Sequence, residues 1–198
     1  MIISDKTAQE KRKDFRAALN SGKLLQFPGA YNPMVGMLIE QKGFDGVYVS
    51  GAVMANSLGL PDIGMTTLTE VSQFASAIAR VTSLPSIMDI DTGFGETMSV
   101  ARTIKELTYL GMAGCHIEDQ SNPKRRGHLD NKELVTADAI EQKAKAAAEA
   151  KTDENFVVIA RTDARGVEGL DKALDRAKAY VDAGADMIFP EAMKDESE

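Results

Sequence analysis

Short apolar runs alternate with longer amphipathic stretches along the whole chain, and this alternation decides the class of fold. The runs are LLQFPGA (24–30), GVYVSG (46–51), PSIMDID (85–91), AGCHIED (113–119), FVVIARTD (156–163) and DMIFPEA (186–192). They are short, mostly apolar and flanked by turn residues, the pattern of strands buried on both faces. Between them, residues 33–43, 67–82, 96–111, 136–152 and 169–184 carry helical spacing, and an additional helix is expected over 5–21. In the last of these stretches Leu170, Ala173, Leu174, Ala177 and Val181 share one face. Thr136 is placed to cap the Ala-rich helix, and Gly43, Gly111 and Gly184 stand where helices stop.

Strand–helix alternation with buried strands means a parallel sheet covered by helices, either an open doubly wound sheet or a (β/α) barrel. No GxGxxG phosphate loop follows the first strand, which weighs against the open sheet. Reactive side chains stand at the ends of successive strands: Tyr48 and Ser50, Asp89 and Asp91, His116 and Glu118, Arg161 and Asp163, then Glu191. Strand ends converge on one rim only when the strands form a ring, and the C-terminal rim is where barrel enzymes keep their sites. The expectation is an α/β, TIM-type barrel. Residues 1–198 would form one domain with about six of the eight strand–helix units, incomplete at the C-terminus.

Composition limits the function classes. A net charge of −7 argues against a nucleic-acid partner, so any anion site must be a local basic pocket. No run of about 18 apolar residues is present, so no membrane span is expected, and the N-terminus lacks an apolar signal core. The single cysteine, Cys115, fits a reducing cytoplasm and reads as buried packing. The ten methionines read as core filling.

Of the rim motifs, DIDTGFGE (89–96) is the strongest. Strand alternation points Asp89 and Asp91 the same way, and two adjacent carboxylates need a cation or a proton between them. Hard oxygen ligands suit Mg²⁺ or Mn²⁺; the plainer alternative is a strand-end turn whose aspartates cap the next helix. His116 reads first as a satisfied interior histidine, with Glu118 beside it able to hold a metal-bound water. Arg161 suits a substrate carboxylate, or equally a structural ion pair with a neighbouring strand. Asp62 in LPDIG, Glu191 in PEA and the cations of PKRRGH (123–128) could each be ordinary loop charges.

Taken together, these motifs carry a resemblance. VYVSGA, SLGLPDIG, MDIDTGFG, HIEDQ, KRRGH, ARTDA, VEGLDKALDRAKAYVDAGAD and FPEA resemble the isocitrate lyase and phosphoenolpyruvate mutase superfamily, and within it the methylisocitrate lyases. The resemblance implies an eight-stranded barrel that binds Mg²⁺ (Mn²⁺ as a substitute) and cleaves a C–C bond in a 2-hydroxy tricarboxylate. For methylisocitrate lyases the products are pyruvate and succinate. It implies that Asp89 and Asp91 hold the metal, with Asp62 and Glu118 supporting it through water. Ser50, Gly51 and Ala52 would bind the carboxylate of the pyruvate portion. Gly127, Arg161 and Glu191 would line the substrate pocket, Tyr48 would lie near the reacting oxygen, and His128 would act from the loop. A cytoplasmic homo-oligomer, a tetramer in the family, is implied as well.

PKRRGH matches the family's mobile active-site loop, whose lyase pattern is Lys-Lys/Arg-Cys-Gly-His. The cysteine that protonates the departing succinate carbanion falls at Arg126 here. A guanidinium holds its proton at working pH and is a poor donor. Substrate binding is therefore expected to outlast lyase turnover. An oxaloacetate decarboxylase or phosphonopyruvate-type relative, or an inactive fragment or pseudoenzyme binding Mg²⁺ and a small oxoacid, are the competing readings.

Overall fold

The computed structural model describes residues 3–127 and 129–198. Among them are six strands and eight helices in the order α1 (Ala8–Leu19), β1 (Gly29–Ala30), α2 (Pro33–Gln41), β2 (Val47–Val49), α3 (Gly51–Ser57), α4 (Leu68–Ala79), β3 (Ser86–Asp89), α5 (Thr97–Tyr109), β4 (Gly114–Glu118), α6 (Ala137–Glu149), β5 (Val157–Thr162), α7 (Ala164–Val167), α8 (Leu170–Asp182) and β6 (Met187–Pro190). The strands make one parallel sheet in the order β1-β2-β3-β4-β5-β6. Every strand lies beside its neighbour in sequence, with no reversal of order. That is the wall of a (β/α) barrel, since a doubly wound sheet would show a switch point.

Alternation along the strands sorts two cores. Val47, Val49, Met88, Cys115, Ile117, Val158 and Ala160 face outward and pack beneath the helices with Ile39, Ile78, Ile104, Leu107, Ile140 and Tyr180. The opposite face begins apolar, with Ala113, Val157 and Ile159 packed against Phe15, Phe27, Ile87 and Phe189. Further along the strands it turns polar. Asp89 pairs in register with His116, and Glu118 with Arg161. The polar layer therefore lies at the C-terminal ends, and Cys115 belongs to the packed outer face, as expected.

Helix α1 closes the other end. Thr7 and Glu10 form a reciprocal capping box that starts it. Its cations then bond backbone carbonyls at the end of α4 and just before β4 and β5: Lys11 Nζ to Ala79 O at 2.7 Å, Arg12 Nε to Met112 O at 2.8 Å and Arg16 Nη2 to Phe156 O at 2.9 Å. Phe15, 2% exposed, is the plug between them.

Three local readings are corrected. The first strand is Gly29–Ala30 and not 24–30, and Leu24 is 89% exposed; β1 has a single pairing partner, β2, so little holds the preceding residues extended. On α8 the buried line is Ala173, Arg176 and Tyr180, while Leu174 and Val181 are exposed. Arg176 is drawn inward by Glu168 Oε1 at 2.8 Å and by Asp119 beyond it. Two short helices, α3 and α7, begin immediately after β2 and β5, where extended chain running into loops was expected.

Candidate active site

The rim of the wall gathers most of the residues named above. β3 ends at Asp89, so Asp91 is not on the strand; it takes φ 47° in a tight turn. The two carboxylates still converge, because a Cβ on Gly51 would lie 2.9 Å from Asp89 Oδ2 and 3.3 Å from Asp91 Oδ1. The turn depends on Gly93, at φ 95°, where a Cβ would press within 2.9 Å of Ile117 Cδ1. The aspartates thus meet through a bend and not through strand alternation. Burial disfavours the Asp89 charge, but its neighbours His116 and Lys124, the Asp91 N–H and Arg161 outweigh it and hold the group below its ordinary range. Burial and the Asp89 charge push Asp91 up to about 6, against the pull of Lys124.

A cation from the loop pairs with Asp91 and Asp62. Lys124 Nζ lies 2.8 Å from Asp91 Oδ1 and donates to Asp62 Oδ1. Burial opposes its charge, yet Asp91, Glu118 and Asp89 hold the ammonium more firmly protonated than usual. Arg126 turns the same way, with Nε 3.5 Å from Asp62 Oδ2 and its side chain 44% exposed. Lys124 and Arg126 are thus both cations facing Asp62. His128 lies outside the described residues.

Tyr48 and His116 form the floor. The Tyr48 hydroxyl is 2.8 Å from His116 Nε2 and 3.4 Å from Asp89 Oδ2. Burial and Asp89 raise the phenol, so it stays protonated and acts as a donor. Burial lowers His116 despite Asp89, favouring the neutral ring, and its Nδ1 has no partner among the described residues. The expectation of a satisfied interior histidine is met at one nitrogen only.

Arg161 anchors the far side. Its Nε lies 3.0 Å from Asp163 Oδ2 and 3.4 Å from Glu118 Oε2, and Nη2 lies 3.4 Å from Glu191 Oε2. Burial pushes Glu118 well above the ordinary carboxylate range, with Arg161 opposing. Gly127 rests on this group so closely that a Cβ would overlap Arg161 Nη2 and the Glu191 carboxyl carbon. Ser50 caps α3, accepting from Val53 N at 3.5 Å, and Gly51 N donates to Asp89 Oδ2 at 3.2 Å. Ala52 is half-buried in the first turn of α3.

No three described His, Cys, Asp or Glu side chains are close enough together to hold a metal ion as they stand. The donor chemistry nonetheless fits a hard divalent cation. The groups are all carboxylates, and among the described residues Glu118 Oε1 is buried without accepting a hydrogen bond, while Asp91 Oδ1 is neutralised by the Lys124 ammonium at 2.8 Å.

Sequence reasoning missed Asp119 and Lys132. Asp119 is fully buried beneath the rim and accepts from Thr162 Oγ1 at 2.7 Å, Asp163 N at 2.8 Å and the Tyr180 hydroxyl at 2.8 Å. Its place beside Glu118 in HIEDQ was the one signal available. Lys132 bonds Asp163, 31 residues away, and nothing local marks it.

Comparison with known proteins agrees with this fold. The chain is 58% identical over 188 residues to "Probable 2-methylisocitrate lyase 1" of Corynebacterium glutamicum, covering 95% of this chain and 62% of that relative. It superposes on 2,3-dimethylmalate lyase with a TM-score of 0.90 and 36% identity, over 97% of this chain and 64% of that one. Phosphonopyruvate hydrolase in complex with oxalate and Mg²⁺ matches with a TM-score of 0.86 and 36% identity, over 93% and 64%. The chain therefore spans somewhat less than two thirds of the relatives it matches. The phosphoenolpyruvate phosphomutase family model matches residues 15–198, which takes in every strand and the whole described rim, and the chain belongs to that family.

Proposed function

We propose that this chain carries the rim of a carbon–carbon lyase that splits a 2-hydroxy tricarboxylate, 2-methylisocitrate first among them, into pyruvate and succinate. The observation that carries the reading is one buried cluster in which Asp89, Asp91 and Glu118 meet Lys124 and Arg161. Likeness to the Corynebacterium relative supports the choice of substrate. Asp89 and Asp91 would hold Mg²⁺ (or Mn²⁺), with Asp62 and Glu118 in support through water, and the ion would supply Lewis-acid polarisation of the oxygens of the pyruvate portion. A cytoplasmic homo-oligomer, tetrameric as in the family, belongs to the same reading. Exposed apolar side chains on α2 (Met34, Leu38) and α8 (Leu174, Val181) are compatible with such packing.

In this reading Arg161 pairs with a substrate carboxylate, and Gly127 and Glu191 shape the wall beside it. Ser50, Gly51 and Ala52 meet the carboxylate of the pyruvate portion at the start of α3. Tyr48, kept protonated, donates toward the reacting oxygen. Cleavage removes the proton of the substrate hydroxyl. The electrons of the broken C–C bond stay on the departing succinate carbon, which must then take a proton. Arg126 stands where that proton would be delivered, and a guanidinium gives it up poorly.

The 3.5 Å approach of Arg126 to Asp62 favours a second reading. There the loop supplies fixed positive charge, and the site binds Mg²⁺ and a small oxoacid without lyase turnover, or works on an oxaloacetate- or phosphonopyruvate-like substrate needing no loop acid. Assaying pyruvate release from 2-methylisocitrate, oxaloacetate and phosphonopyruvate with Mg²⁺ separates the readings. Release from 2-methylisocitrate alone supports the first, and release from either smaller acid alone supports the second.

A further inference from the structure

We infer that Lys132 is a positioning residue that seats the loop at Gly127 against Arg161. Its side chain is 4% exposed, with Nζ 2.8 Å from Asp163 Oδ1 and donating to Gly127 O. Asp163 is fully buried and is the carboxylate that grips Arg161, through Nε at 3.0 Å and Nη2 at 3.2 Å. One ammonium therefore ties the loop backbone to the group that orients Arg161. Gly127 rests on Arg161 and Glu191 with no room for a side chain, so the carbonyl that Lys132 holds belongs to the residue in contact with the pocket wall.

The anchor is rigid. Asp119 accepts the Asp163 N–H at 2.8 Å and the Thr162 hydroxyl at 2.7 Å. The other arm of the loop has its own clamp: Gln120 Oε1 accepts from Arg125 N and Gln120 Nε2 donates to Arg125 O, both at 2.8 Å. Gln120 fixes the loop at 125 and Lys132 fixes it at 127. A buried ammonium is stable only with a charge partner and further acceptors, and both of those found here are parts of the seat.

The loop sequence Lys124-Arg125-Arg126 is cleaved by trypsin once it lifts from its seat, which gives a readout without turnover. Lys132→Met keeps the stem and removes the charge. It should speed the first cut at 124–126 by about tenfold under conditions where circular dichroism shows both proteins folded, and Lys132→Arg should restore slow cutting. If Lys132→Met does not fold, the native protein is labelled with acetic anhydride and read by mass spectrometry. Lys132 should then react at least about tenfold more slowly than Lys145, whose side chain is 63% exposed. Equal cutting rates, or acetylation of Lys132 as fast as Lys145, would overturn the inference. Its effect on catalysis, a raised KM for 2-methylisocitrate, rests on the lyase reading. The cutting and labelling do not, so failure of one is distinguishable from failure of the other.

Discussion

Lys124 holds its ammonium 2.8 Å from Asp91 Oδ1 while donating to Asp62, so a loop cation lies between carboxylates carried by the α3–α4 and β3–α5 connections. The rim thus neutralises part of its own charge from the loop. Any divalent cation drawn to Asp91 competes with Lys124 for the same oxygen, and the charge balance of the site depends on where the loop sits.

Asp91 gives the first prediction. Its carboxyl, ordinarily near 3.8, is pushed up to about 6 by burial and Asp89. A raised acid contributes stability below the unfolded-state value and loses it as pH rises through the folded value. The charged form at pH 7 therefore costs about 3 kcal/mol. In metal-free buffer, Asp91→Asn should melt higher than the native chain at pH 7, with the advantage shrinking toward pH 4. An Asn variant that melts lower at pH 7 would contradict this.

Arg126 gives the second. Replacing a missing general acid is worth about 10²–10⁴-fold in rate. Arg126→Cys should raise pyruvate release from 2-methylisocitrate by at least about a hundredfold with little change in KM. Unchanged release would show that this position delivers no proton here.

Asp119 gives the third. Asp119→Ala leaves the Thr162 hydroxyl, the Asp163 N–H and the Tyr180 hydroxyl without their acceptor. Denaturant unfolding should show a loss of about 3 kcal/mol, and tryptic cutting of the loop should quicken because Asp163 loses its support. A loss below about 0.5 kcal/mol would mean that the three donors find other partners.

Phe15 gives the fourth. It is 2% exposed and packs against Phe27 with ring centroids 5.3 Å apart. Phe15→Ala should cost about 3–5 kcal/mol in chemical denaturation without altering the rim at the opposite end. A near-neutral result would mean that α1 does not plug the wall.

The fold class was legible in this sequence because six buried runs alternate with helices, and sequence-neighbour pairing needs nothing else. Local bounds were less so. α3 opens on Gly51, which was read as the last residue of the strand run 46–51, although the strand ends at Val49 and Ser50 caps the helix. The α8 face was misjudged because its buried line runs through Arg176, whose partners Glu168 and Asp119 lie outside that helix. At the site, Asp89, Glu118 and Arg161 could be read from strand ends. Asp91 arrived by a bend that alternation does not describe. The link from Lys132 to Asp163 joins a loop to the end of β5, and no periodicity reports such a contact.

The most direct test of a working oxoacid site on this rim is a thermal melt followed by circular dichroism, with and without Mg²⁺ plus pyruvate, for the native chain and Asp89→Ala. Saturating ligand at a hundredfold over Kd adds about 2.7 kcal/mol, so the native transition should rise by about 5 °C or more while the variant stays put. An unmoved native transition, or an equal rise in Asp89→Ala, would contradict the account.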